Sequence, residues 1–168
     1  MSKSPGLDFE LAAADRSRFA GLLIHTTGCT VWCGAIGGDG YGRFSLRRPD
    51  GGQRTVSAHV VAAVIEWGQV EAGATVLHDC DFRLCVRTNL SGHVRVSTQS
   101  ENVRQAVWRG RSRGPMPGRV DVRGPAGASH AVRDALRASA DRDPVALALV
   151  LAQVLAQGDP LRDNVRLF

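Results

Sequence analysis

The arrangement His78-Asp79-Cys80-Asp81-Phe82-Arg83-Leu84-Cys85, followed by His93 and by Ser100-Glu101-Asn102, restricts this chain more than any other feature. Two thiols and an imidazole this close in sequence are soft ligands suited to a structural zinc, and a segment tied to one ion has few ways to fold. His78 and Asn102, within the same stretch, have the chemistry of a proton acceptor and of a hard, uncharged oxygen ligand.

The charge balance points the same way. The formal net charge is +5, the chain holds 21 lysines and arginines together, and Lys3 is the only lysine. Arginine's planar fork takes phosphate in bidentate fashion, so an arginine-dominated excess fits a nucleic acid as partner. No apolar run is as long as a membrane span; Val145 to Leu155 is apolar but too short, and it contains Gln153. Lys3 is followed by Pro5, Asp8 and Glu10 rather than by an apolar core, so no secretory signal and a cytoplasmic, reducing setting are expected. In such a setting four cysteines read as metal ligands or buried thiols rather than as disulfides.

Hydrophobic spacing predicts an N-terminal helix from Leu7 to Leu23, with Phe9, Leu11, Ala12, Phe19, Leu22 and Leu23 on one stripe. Thr30-Val31-Trp32 and Tyr41 to Leu46 read as strands, with turns at Gly37 to Gly40 and Asp50 to Gly52. Ser57 to Trp67 reads as a buried helix ending at Gly68. Next come a strand from Ala74 to His78, a loop from Cys80 to Cys85, a strand from His93 to Val96 and a helix opening near Thr98, where Thr98 and Glu101 fit a capping box. Arg104, Arg109, Arg111, Arg113, Arg119 and Arg123 then stand among glycines and prolines, opposed only by Asp121, and read as a basic arm for a phosphate backbone. Ser129 to Ala138 and Asp143 to Gln157 read as closing helices, the second apolar nearly all round and suited to a homodimer contact. The expected division is a domain over residues 1–109, the basic arm over 110–128 and a helical segment over 129–168.

Taken together, Cys29 to Gly34, Gly40-Tyr41-Gly42-Arg43-Phe44, Ala58-His59, Val76 to Asp81, Cys85-Val86 and Ser97 to Val103 resemble the HNH endonucleases of the His-Me finger superfamily. The nearest likeness within it is to zinc-containing His-Cys box homing endonucleases and their phage and bacterial relatives. The resemblance covers about Cys29 to Arg109 and implies an α+β fold, a zinc-stabilised ββα-metal finger with flanking antiparallel strands and N- and C-terminal helices. It implies double-stranded DNA as the partner and Mg2+-dependent hydrolysis of DNA phosphodiesters, with His78 as general base and Asn102 holding the divalent ion. It assigns a structural Zn2+ to Cys29, Cys80, Cys85 and His93, with Cys33 the alternative to Cys29. Arg43, after the Gly-Tyr-Gly turn, would contact the scissile phosphate or its neighbour, and Arg104, Arg109, Arg111 and Arg113 would grip the duplex. Two departures from the family pattern are evident: Arg87 to Gly92 intervene before His93, and Val60 stands where an arginine usually follows Ala-His. A non-catalytic zinc-held DNA-binding module is the alternative function. Trp32 and Trp67 are expected to be packing anchors, Trp108 borders the arginine arm, where a base could stack on it, and His59 is expected to be a core histidine or zinc neighbour.

Overall fold

The computed structural model describes residues 10–70, 74–89, 93–108 and 121–159. Among them are five helices and three small antiparallel sheets, an α+β arrangement. In chain order these are α1 (Ala13–Ala20), β1 (Leu23–His25), β2 (Thr30–Trp32), β3 (Ala35–Ile36), β4 (Gly42–Arg47), β5 (Gln53–Ser57), α2 (Ala58–Trp67), β6 (Ala74–His78), β7 (Val94–Thr98), α3 (Gln99–Trp108), α4 (Gly124–Ala138) and α5 (Pro144–Gln157). No described helix is long and apolar enough to cross a membrane.

The core forms around Trp32. Phe19 stacks on its ring at 5.0 Å between centroids and Phe44 meets it edge-on at 5.6 Å, so α1, β2 and β4 are joined by aromatic contacts that add to simple area burial. The indole N–H donates to the Ala35 carbonyl at 2.8 Å, which satisfies the one polar atom of a fully buried side chain. Under the strands lies α2, whose Ala58, Val60, Val61, Ala62, Ala63 and Val64 are all buried. It stops at Gly68, where φ is +79°, and the Gly68 N–H closes the last turn on the Val64 carbonyl.

Three sequence expectations are corrected. The first helix, expected to Leu23, ends at Ala20, because Leu23, Ile24 and His25 pair with Trp32, Val31 and Thr30 as a strand. The part of that expectation over residues 1–9 lies outside the described residues. The closing helix expected from Ser129 begins at Gly124 with a proline in its first turn, and Ser129 is a buried interior residue whose hydroxyl donates to the Gly40 carbonyl at 2.7 Å. Trp32 is the anchor expected, whereas Trp67, expected to be one as well, is 45% exposed; Trp108, beside the expected arm, is 85% exposed.

The Gly37 to Gly40 turn therefore serves as the seat for α4. Gly40 has φ +81°, and a Cβ there would collide with the Pro125 carbonyl. Gly51 has a similar φ of +84° but open space around it. Gly40→Ala carries both backbone strain and the collision, and is expected to cost about 1–3 kcal/mol or more of stability. Gly51→Ala carries strain alone and is expected to cost less. Denaturant unfolding of the two variants checks the order, and equal losses would show that α4 does not press on the turn.

Candidate functional site

Four ligand side chains come together because the loop after β6 adds itself to β2. The Trp32 N–H donates to the Leu84 carbonyl and the Val86 N–H to the Thr30 carbonyl, both at 2.8 Å, with Val31 and Cys85 bridged between them. This pairing sets Cys85 beside the N-terminal end of β2, where Cys29 precedes Thr30. Cys29 is itself held by a tight turn in which Thr26 Oγ1 donates to its carbonyl at 2.8 Å and accepts from its N–H at 3.0 Å. Across the β6–β7 hairpin the Asp79 N–H donates to the His93 carbonyl at 3.0 Å, drawing His93 towards Cys80. The ligand atoms of Cys29, Cys80, Cys85 and His93 all lie within 4.8 Å of one another.

Tetrahedral zinc with Zn–S near 2.3 Å and Zn–N near 2.0–2.1 Å separates S and N ligand atoms by about 3.6 Å. His93 Nδ1 is 3.8 Å from Cys29 Sγ and 3.3 Å from Cys85 Sγ, values on either side of that separation. The thiols act on one another's protonation. The Cys80 bond raises the Cys29 pKa to about 11, while hydrogen bonds from Cys29 and Cys85 hold Cys80 below the usual thiol range. Cys85 is pushed up, first by Cys29 and then by Cys80. A bound cation would invert this order by stabilising every thiolate. Residues and spacing thus suit a metal ion, and the soft donor set suits zinc. Cys33 is not part of the group: it lies at the far end of β2, 3% exposed, with burial lifting its pKa to about 11.

Immediately beside this cluster His78, the last residue of β6, makes a hydrogen bond from ring Nε2 to the Cys85 carbonyl at 2.7 Å. With the carbonyl as acceptor, Nε2 carries the proton and the lone pair of the neutral ring is on Nδ1. Burial lowers the His78 pKa from its ordinary value, opposed by the Cys85 carbonyl. His78 lines a cavity of about 420 Å³ together with Arg43, Asn102, Tyr41, His59 and Arg83. Arg43 projects from β4, its guanidinium bound to Asp39 and to the Ser57 hydroxyl, each at 2.5 Å. Asn102 sits in the first turn of α3, where Thr98 Oγ1 accepts the Glu101 N–H at 3.2 Å. Only that half of the capping box forms, because the Glu101 carboxylate turns instead to Arg95 and Ser97.

His59 and Arg83 add to the candidates read from sequence. The His59 ring lies 4.5 Å from that of His78 between centroids, and its Nδ1 is enclosed with no hydrogen-bond partner among the described residues. Burial, then the charges of His78 and Arg43, push its pKa down to about 3, so it is neutral at physiological pH. The sequence signal was the Ala58-His59 pair opening α2, read there as core. Arg83, in the loop between Cys80 and Cys85, lies over the Tyr41 ring at 5.8 Å and had no signal of its own.

The arginines expected to grip a duplex divide. Arg104 is exposed on α3, whereas Arg109, Arg111 and Arg113 lie outside the described residues. Arg123 is fastened at the start of α4, donating to both Asp121 carboxylate oxygens at 2.9 and 2.7 Å and to the Val154 carbonyl at 2.9 Å. It is therefore a tie between α4 and α5 rather than part of an arm.

The chain is 32% identical over 91 residues to Protein 2.8 of Escherichia phage T7, a match covering 54% of this chain and 58% of that protein. No family model and no solved structure matches the chain.

Proposed function

We propose that the chain is a zinc-held DNA endonuclease of the HNH, His-Me finger type, resembling homing endonucleases, in which β6, β7 and α3 form the ββα-metal finger. One observation carries this reading: the carbonyl of Cys85, a residue of the metal-ligand group, orients His78 over a cavity that Asn102 and Arg43 also line. Zn2+ would be held by Cys29, Cys80, Cys85 and His93, and its role is to keep the Cys85 carbonyl in place. His78 Nδ1 takes the proton of the attacking water, since a neutral imidazole is basic enough for this near pH 7. Asn102 offers a carboxamide oxygen to Mg2+, whose chemistry when bound is to polarise the phosphate and stabilise the departing 3′ oxygen. The Asn102 carboxamide, a single uncharged ligand beside a roomy polar cavity, fits an ion that retains most of its waters. Arg43 and Arg83 supply positive charge for the backbone, Arg43 exchanging its Asp39 contact for phosphate.

Nicking of supercoiled plasmid by the zinc-loaded protein, present with Mg2+ and lost when it is omitted, is the expected result. Salt-sensitive duplex binding with no nicking at any Mg2+ concentration would favour a DNA-binding module instead. Val145 and Leu149 of α5 are 57% and 68% exposed, while Leu147, Leu151 and Val154 are buried. We propose that this outer face joins two copies, placing two nicking sites on opposite strands; sedimentation of a monomer with and without DNA would remove the dimer.

A further inference from the structure

Asn102 is bracketed by a polar ring that leads back to the residue after His78. Arg95, on β7, donates from Nε to Asp79 Oδ2 at 2.6 Å and from Nη2 to Glu101 Oε1 at 2.9 Å. The second oxygen of Asp79 accepts from Gln105 Nε2 at 2.6 Å, and the second oxygen of Glu101 accepts from Ser97 Oγ at 2.5 Å. Glu101 and Gln105 are one helical turn apart on α3, so both tethers lie on one face and fix the turn of helix that carries Asn102. Asp79 directly follows the last residue of β6.

We infer that Arg95, with Asp79, Glu101 and Gln105, is a positioning device that sets the place of the Asn102 carboxamide relative to His78, and so the affinity of the cavity for its divalent ion. This rests on the catalytic reading above. A role in stability explains the ring poorly, because the Arg95, Asp79 and Glu101 side chains are 35%, 21% and 43% exposed and ion pairs that accessible contribute little to folding. What the ring does supply is direction. A bidentate guanidinium fixes two carboxylates at once, and α3, which has no buried residue of its own, has little apolar packing to hold its angle against β6. Two charged groups against one guanidinium also occupy the acids, which keeps Asp79 and Glu101 from acting as competing ligands for the ion.

The test uses the zinc-loaded full chain. Broadening of the Asn102 side-chain amide resonance by Mn2+ reports ion binding without turnover, and plasmid nicking against Mg2+ concentration reports function. Arg95→Met is expected to raise the Mn2+ needed for half-broadening by about tenfold to a hundredfold, the range for losing an outer-shell partner. Zinc content and melting temperature should stay as in the parent, and Arg95→Lys, able to reach only one carboxylate, should fall between. Gln105→Leu removes the second tether alone and serves if Arg95→Met unfolds. Unchanged Mn2+ broadening in a folded Arg95→Met or Gln105→Leu protein, with the parent still binding and cutting, would overturn the positioning role and leave the endonuclease reading standing. A parent protein that shows no Mn2+ effect at Asn102 would overturn both.

Discussion

His78→Ala is expected to reduce Mg2+-dependent nicking by about a hundredfold or more, the scale set by loss of a general base. The reduction should appear with duplex binding and zinc content unchanged, since His78 is outside the ligand group. The pH dependence follows from its surroundings. Burial lowers the His78 pKa, and only the neutral ring accepts a proton, so nicking should rise with pH about a midpoint below the ordinary imidazole value of about 6.5. Asn102→Ala should produce a loss of similar size, partly relieved by excess Mg2+, because the ion and not the base is what Asn102 would hold. A His78→Ala protein that cuts at the parental rate would transfer the base role to another group of the cavity, with the neutral His59 ring 4.5 Å away the first to test.

Removal of zinc, or Cys80→Ser, is expected to unfold the loop, the β6–β7 hairpin and α3 together. The described α3 has no buried side chain, and the apolar burial of the unit, by Val76, Leu84, Val86 and Val94, is made against the common core, so the ion is what ties its strands, loop and helix to one another. For a small metal-held unit the binding free energy is folding free energy, about 10–16 kcal/mol for structural zinc in finger peptides at neutral pH. Nicking should be lost along with structure, because the Cys85 carbonyl that orients His78 moves when the cluster opens. The Trp32, Phe19 and Phe44 rings lie outside the unit, and although Trp32 loses its backbone bond to Leu84, their mutual stacking should keep a near-ultraviolet signature. Circular dichroism before and after chelation, with zinc restored as the control, measures this. A Cys80→Ser protein with unchanged melting and full zinc would remove the metal from the design.

Elements were legible where periodicity was strong and punctuation sharp. The strand from Ala74 to His78 has the expected bounds, the helix over Ala58–Trp67 stops at the glycine expected, and α5 is capped by Asp143, whose carboxylate accepts the Val145 and Ala146 N–H groups at 2.9 and 3.0 Å. The misreadings share a cause. Leu22 and Leu23 satisfy a helical stripe as well as a strand, and only a partner could decide between them; β2 was that partner. Ser129 is a plausible cap in isolation, yet Pro125, four residues earlier, starts the helix sooner, and the Ser129 hydroxyl goes to the Gly40 carbonyl instead of capping. His59 looked like core because its neighbours are apolar, and burial says nothing of which ring lies beside it.

The sequence by itself determined which side-chain types were on offer: two cysteines and a histidine at ligand spacing with a third cysteine upstream, an imidazole ending a strand, and a carboxamide opening a helix. Those follow from residue type and local period, which act over a few positions of chain. Tertiary structure alone decided which cysteine joins the group. Cys29 and Cys33 are equivalent to any reading of local spacing, and the choice falls to Cys29 because the Cys85 segment hydrogen-bonds antiparallel to β2, setting Cys85 beside Cys29 and leaving Cys33 in the core. The same strand addition supplies the carbonyl that orients His78, and Arg95 joins Asp79 to Glu101 across the hairpin. Both are contacts between backbone or side-chain groups far from each other along one or more turns of chain, and their geometry depends on the way the sheets and helices dock.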